Sequence, residues 1–90
     1  MSDKEDNAMD EYTDALGRMG KRLKEKYHFT QPHIDRLFEE DDEYTWSEKE
    51  RKFMDSYQNK LTAIQNRVAK KHNVVIEHEE QMIDIKEIRE

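Results

Sequence analysis

The sequence predicts a mainly α domain of three helices, the third the longest, followed by a small C-terminal β-hairpin. Three observations lead there. Apolar residues step by three and four through 8–27 and again through 47–72, the spacing that lines one side of an α-helix. Helix-start chemistry stands at Thr30 and Ser47. After His72 the periodicity changes to β-branched and alternating residues.

The N-terminal stretch 1–7 is acidic and without apolar periodicity, and reads as a disordered lead-in to a single domain over 8–90. The first helix then starts near Asn7 or Ala8 and ends near Tyr27, with its stripe at Met9, Tyr12, Leu16, Met19 and Leu23. Gly17 and Gly20 fall inside it, each costing about 1 kcal/mol against Ala. They imply either a frayed or bent middle or the close approach of another backbone.

His28 and Phe29 break the pattern. Thr30 caps a second, short helix with Pro32 in its first turn, where a missing N–H does no harm. Phe29 before the cap and Ile34 after it have hydrophobic-staple spacing, and Ile34, Leu37 and Phe38 supply the buried side. The acids of 39–43 repel one another into a solvated loop. That loop has no Gly for a sharp bend, so it is not an EF-hand. Tyr44 and Trp46 are expected to fold back onto the core.

Ser47 and Glu50 have the capping-box spacing that opens the third helix. Its stripe is Met54, Tyr57, Leu61, Ile64 and Val68, and at ~1.5 Å per residue it runs to roughly 38 Å. The two matched stripes are expected to pack side by side. Asn73 is a reasonable stop. Beyond it, 74–76 and 83–86 read best as two short strands around a four-residue loop, 78–81. A terminal helix from Glu79, with Met82, Ile85 and Ile88 or Arg89 on one face, is the alternative. A lone hairpin must pack on the helices or pair across a dimer.

Composition narrows the function. Only 33% of the 90 residues are hydrophobic and 42% are charged, so the core is thin. With no Cys there is no disulfide, thiolate zinc site or Cys nucleophile. The apolar runs are too short to span a membrane, and the acidic N-terminus lacks a signal region. A cytoplasmic protein without membrane contact is expected. There is no phosphate loop, nucleophile elbow or HExxH, and His28, His33, His72 and His78 read as surface or capping residues. No enzyme, cofactor or metal site is expected.

The net charge of −6 comes in alternating blocks. Residues 17–36 carry six bases against two acids, and 51–71 carry six against one, between acidic blocks. The blocks either neutralise one another within the fold or gather cations on one face for an anionic partner. In the second case Arg18, Lys21, Arg22, Arg36, Arg51, Lys52, Lys60, Arg67, Lys70 and Lys71 are the candidate phosphate contacts. Nothing reads bases, so contact would be to DNA backbone.

The middle of the chain carries a resemblance. Lys24-Glu25-Lys26-Tyr27-His28-Phe29 leads into Ile34-Asp35-Arg36-Leu37-Phe38, then an acidic linker, then Glu50-Arg51-Lys52-Phe53-Met54-Asp55-Ser56-Tyr57. This order, over residues 18–60, resembles the small double-stranded-DNA-binding proteins of T-even-type phages. The long helix beyond Tyr57 and the β-like tail depart from that pattern. The resemblance implies a small helical protein in the host cytoplasm that associates with double-stranded DNA, with a role near phage transcription. Two other readings stand beside it. The acidic segments 1–14 and 39–50 would dock on a basic protein partner or mimic DNA. The stripes would meet across chains in a homodimer.

Overall fold

A computed structural model describes residues 3–39, 41–79 and 82–88. Three helices, α1 (Asp3–Tyr27), α2 (Gln31–Leu37) and α3 (Glu48–His72), precede an antiparallel hairpin of β1 (Val74–Glu79) and β2 (Met82–Glu87). This is the expected three-helix domain with a long third helix, and the C-terminus is the hairpin, not the terminal helix.

The ends of the elements follow local chemistry. Helix α1 begins at Asp3, not near Asn7, so the expected disorder of 1–7 gives way to helix for residues 3–7. Residues 1 and 2 lie outside the described residues. Asp3, Glu5 and Asp6 fill the first turn, where carboxylates meet the positive end of the helix dipole. Glu5 also accepts a hydrogen bond from the backbone N–H of Glu87 in the hairpin (3.4 Å). Past Tyr27, His28 turns left-handed (φ 56°) and the Phe29 N–H returns to the Lys24 carbonyl at 3.2 Å, a Schellman-type stop. Thr30 caps α2 by accepting from the His33 N–H, with Pro32 in the first turn. The full Ser47–Glu50 capping box opens α3, and Asn73 closes it in the left-handed region (φ 54°).

Helices α1 and α3 pack antiparallel, and their contact divides into two apolar clusters. Near the hairpin, Ala8, Tyr12 and Val68 meet Val74, Ile76 and Ile85. At the other end Met19, Leu23 and Phe53 meet Phe29, Ile34 and Leu37. Leu16, Leu61 and Ile64, half-buried, border both. Phe29 and Ile34 thus share a cluster, as staple spacing requires.

Three core details differ from the sequence reading. Phe38, expected on the buried side of α2 with Ile34 and Leu37, is exposed, because it stands at the C-cap past the last turn of that helix. The fully buried aromatic of α3 is Phe53, one residue off the stripe. Its ring lies 5.1 Å from Phe29 and 5.6 Å edge-on from Tyr27, so the helix turns this position toward the α1–α2 corner. Tyr44 folds back onto that cluster, but Trp46 stays exposed just before the cap, where the chain leaves the core to enter α3.

The hairpin sits across the α1–α3 end by its inner face. Val74, Ile76 and Ile85 are buried while Val75 is exposed, the two-residue alternation of a half-buried strand. Strand pairing runs to Glu79 opposite Met82, so His78 and Glu79 are strand, not loop. Only 80 and 81 separate the strands, and they lie outside the described residues. Polar groups tie the sheet down: Gln65 Nε2 donates to the Ile76 carbonyl (2.6 Å), and the Tyr12 hydroxyl bonds His78 Nδ1 (2.9 Å).

Candidate nucleic-acid interface

On one flank of the α1–α3 pair the two helices leave an open groove of about 630 Å³. Arg18 and Arg22 from α1, and Lys60, Arg67 and Lys71 from α3, line it. The floor includes Ala15, Ala63 and Ile64, and the acids Glu11 and Asp14 stand at one end. Helical geometry produces this grouping. Arg18 and Arg22 are one turn apart, and Lys60, Arg67 and Lys71 step by seven and four, so each set keeps to one side of its helix. Antiparallel packing then sets the sides edge to edge. The α3 row is ~16 Å long at 1.5 Å per residue.

The charges in the groove are unequally compensated. Asp14 pairs with Arg18 (3.2 Å), both exposed. Glu11 clasps Lys71 (2.6 Å) across the helix interface, and that hydrogen bond holds the Glu11 carboxyl below its ordinary value despite some desolvation. His72 Nε2 lies 3.6 Å from the other Glu11 oxygen, too far for a hydrogen bond, and is buried without a hydrogen-bond partner among the described residues. No described residue forms an ion pair with Arg22, Lys60 or Arg67. The groove therefore holds five cations and two carboxylates, with three cations left open.

The other five candidate cations are not on this flank. Lys21 lines a second groove, between α1 and α2. Arg36 lies over the Tyr44 ring (5.1 Å to its centroid), and Lys52 pairs with Glu48 one turn earlier (3.5 Å). Arg51 and Lys70 are exposed in the first and last turns of α3, outside the groove lining.

A second polar cluster fixes the corner that carries α2. Glu50 is only 5% exposed. Its Oε2 accepts from the Tyr44 hydroxyl (2.5 Å) and His33 Nε2 (2.8 Å), and its Oε1 from the Ser47 N–H (2.8 Å). The Tyr44 bond, then those of His33 and Ser47, hold the carboxyl at about 2, and the same bond raises the Tyr44 phenol above its ordinary value. The capping box signals Glu50's backbone role in sequence. Its use by Tyr44 and His33 depends on the tertiary corner and has no local signal. His33 and His78 likewise serve as hydrogen-bond partners within the fold.

Among the described residues no group of His, Cys, Asp and Glu is arranged to hold a metal ion, and no helix is long and apolar enough to cross a membrane. No known protein family, curated protein or solved structure matches the chain.

Proposed function

We propose that this chain is a non-enzymatic accessory protein that associates with double-stranded DNA, seating the sugar–phosphate backbone against the α1–α3 groove. One observation carries the reading: five basic side chains from two helices, separate in sequence, line the same groove, and Arg22, Lys60 and Arg67 have no described ion-pair partner. The ~16 Å row of α3 matches about five phosphates of one strand at their ~3.4 Å axial spacing. The cations come from a shallow row along two helix flanks, and no element enters a groove of the duplex in this reading, so recognition is of backbone.

The overall charge of −6 tempers affinity. The groove is a local cationic strip on an acidic body, which suits weak, salt-sensitive association. Fluorescence anisotropy with labelled duplexes of unrelated sequence tests it. Similar affinities for all duplexes at low salt, weakened by Arg22→Gln and Arg67→Gln, support the proposal. No binding at low salt removes it.

A protein-docking alternative rests on the α2–α3 loop, where Glu39, Asp41, Asp42 and Glu43 are exposed and form no ion pair with a described residue. Capture of a basic nucleic-acid-handling protein, lost on neutralising these acids and accompanied by no DNA affinity, favours that reading.

A further inference from the structure

A second groove, of about 530 Å³, opens between α1 and α2 on a different flank from the cationic one. Leu16, Ile34, Phe38, Phe53 and Tyr57 give it an apolar lining, and Phe38 is 47% exposed although its ring packs against Tyr57 (5.0 Å). Gly17 and Gly20 line the same groove. Nothing in the chain requires them to be glycine. Neither has positive φ, and an added Cβ would meet no atom within 4 Å at either position. Two residues that weaken the helix therefore leave bare backbone beside an apolar hollow.

We propose that the occupant is a second copy of this chain, with the two α1 helices antiparallel about a two-fold axis through Gly17. The charges of α1 specify that partner. Asp10, Gly17 and Lys24 are spaced by seven residues and so share one side of the helix. Turning α1 end for end about Gly17 sets Gly17 on its counterpart, Asp10 against Lys24 of the other copy, and Lys24 against its Asp10. That is the self-complementarity an isologous interface needs. Neither Asp10 nor Lys24 forms an ion pair with a described residue. The Thr13 hydroxyl between them already donates to the Met9 carbonyl (2.9 Å) and needs no partner.

Surface area leaves room for a partner. The chain exposes 7135 Å² at 11.0 kDa, whereas a compact monomer of that mass exposes about 5600 Å². The excess goes with an elongated shape, 45 × 26 × 18 Å, and exceeds the ~800 Å² that each partner gives to an interface of standard size. The cationic groove lies on another side of α1, so this pairing is independent of the DNA reading.

Sedimentation equilibrium of the full chain, from micromolar to millimolar concentration, tests the proposal. Wild type is expected to dimerise. Asp10→Lys or Lys24→Asp alone weakens the dimer about tenfold or more, because each reversal turns two symmetric attractions into repulsions. An equimolar mixture of the two variants restores association as a heterodimer, which a foreign partner's site would not do. Gly17→Leu also prevents pairing while the monomer keeps its helical circular dichroism, since an added Cβ at this position meets no atom within 4 Å and Leu favours helix over Gly. A wild type that stays monomeric at millimolar concentration overturns the proposal. So does a dimer indifferent to Gly17→Leu and both reversals, or a mixture that fails to associate.

Discussion

Replacing Glu50 with Ala removes the acceptor shared by Tyr44, His33 and the Ser47 backbone, on which the α2–α3 corner depends. The Ser47 bond is half of a capping box, and caps are worth about 1 kcal/mol. Hydrogen bonds to a charged group reach about 1.5–3 kcal/mol each. Tyr44 and His33 are only half-buried and regain water, which offsets much of that loss. We therefore expect a net cost of about 2–4 kcal/mol, out of the ~5–13 kcal/mol typical of a domain this size. Glu50→Gln keeps an acceptor for the cap and should cost about half as much. Urea denaturation followed by circular dichroism and Trp46 fluorescence measures both. The pH dependence has a definite sign. The Glu50 carboxyl is held at about 2, below its ordinary 4.5, so its contribution is complete above the ordinary value and is lost as pH falls through about 2. The gap between wild type and Glu50→Gln should therefore close between about pH 5 and pH 2. A cost below about 0.5 kcal/mol, or a gap constant over that range, would refute the argument, because surface substitutions alone cost that little.

Three further outcomes follow from particular contacts. Gly17→Ala and Gly20→Ala should each raise the stability of the dilute monomer by about 1 kcal/mol in urea, since the added methyl meets nothing and only helix propensity changes. Tyr12→Phe should lower it by about 1 kcal/mol, the worth of one hydrogen bond to His78. A larger loss would mean the ring as well as the hydroxyl is displaced. Glu11→Gln should release Lys71 into the groove and tighten duplex binding severalfold in the anisotropy assay. Unchanged affinity would place Lys71 outside the contact.

Much of the fold is legible in local chemistry. Ser47 with Glu50, Thr30 and Asn73 mark helix ends because each satisfies backbone groups from within a few residues, and Pro32 brings no N–H that would need a partner. The stripes of α1 and α3 show their seam because burial repeats with the helical turn. Other features are written in three dimensions. Phe53 lies beside the stripe in sequence, and only the nearby α1–α2 corner, with Tyr27 and Phe29, buries it. Tyr12 and His78 meet across 66 positions, with no local pattern to pair them. The cations show both cases. Charge clustering names ten residues, but the side of the helix selects among them, and five share a groove because their spacing returns to one flank. Lys52 and Lys21 belong to the same clusters and face elsewhere.

The most direct test of the DNA reading is the salt dependence of duplex binding, wild type against the triple variant Arg22→Gln, Lys60→Gln, Arg67→Gln. Three open cations predict a log–log slope of about −2.7, hence roughly 40-fold weaker binding at 200 mM than at 50 mM salt, and a slope near zero for the variant. Equal slopes for the two proteins, or binding that ignores salt, would contradict the groove as the DNA contact.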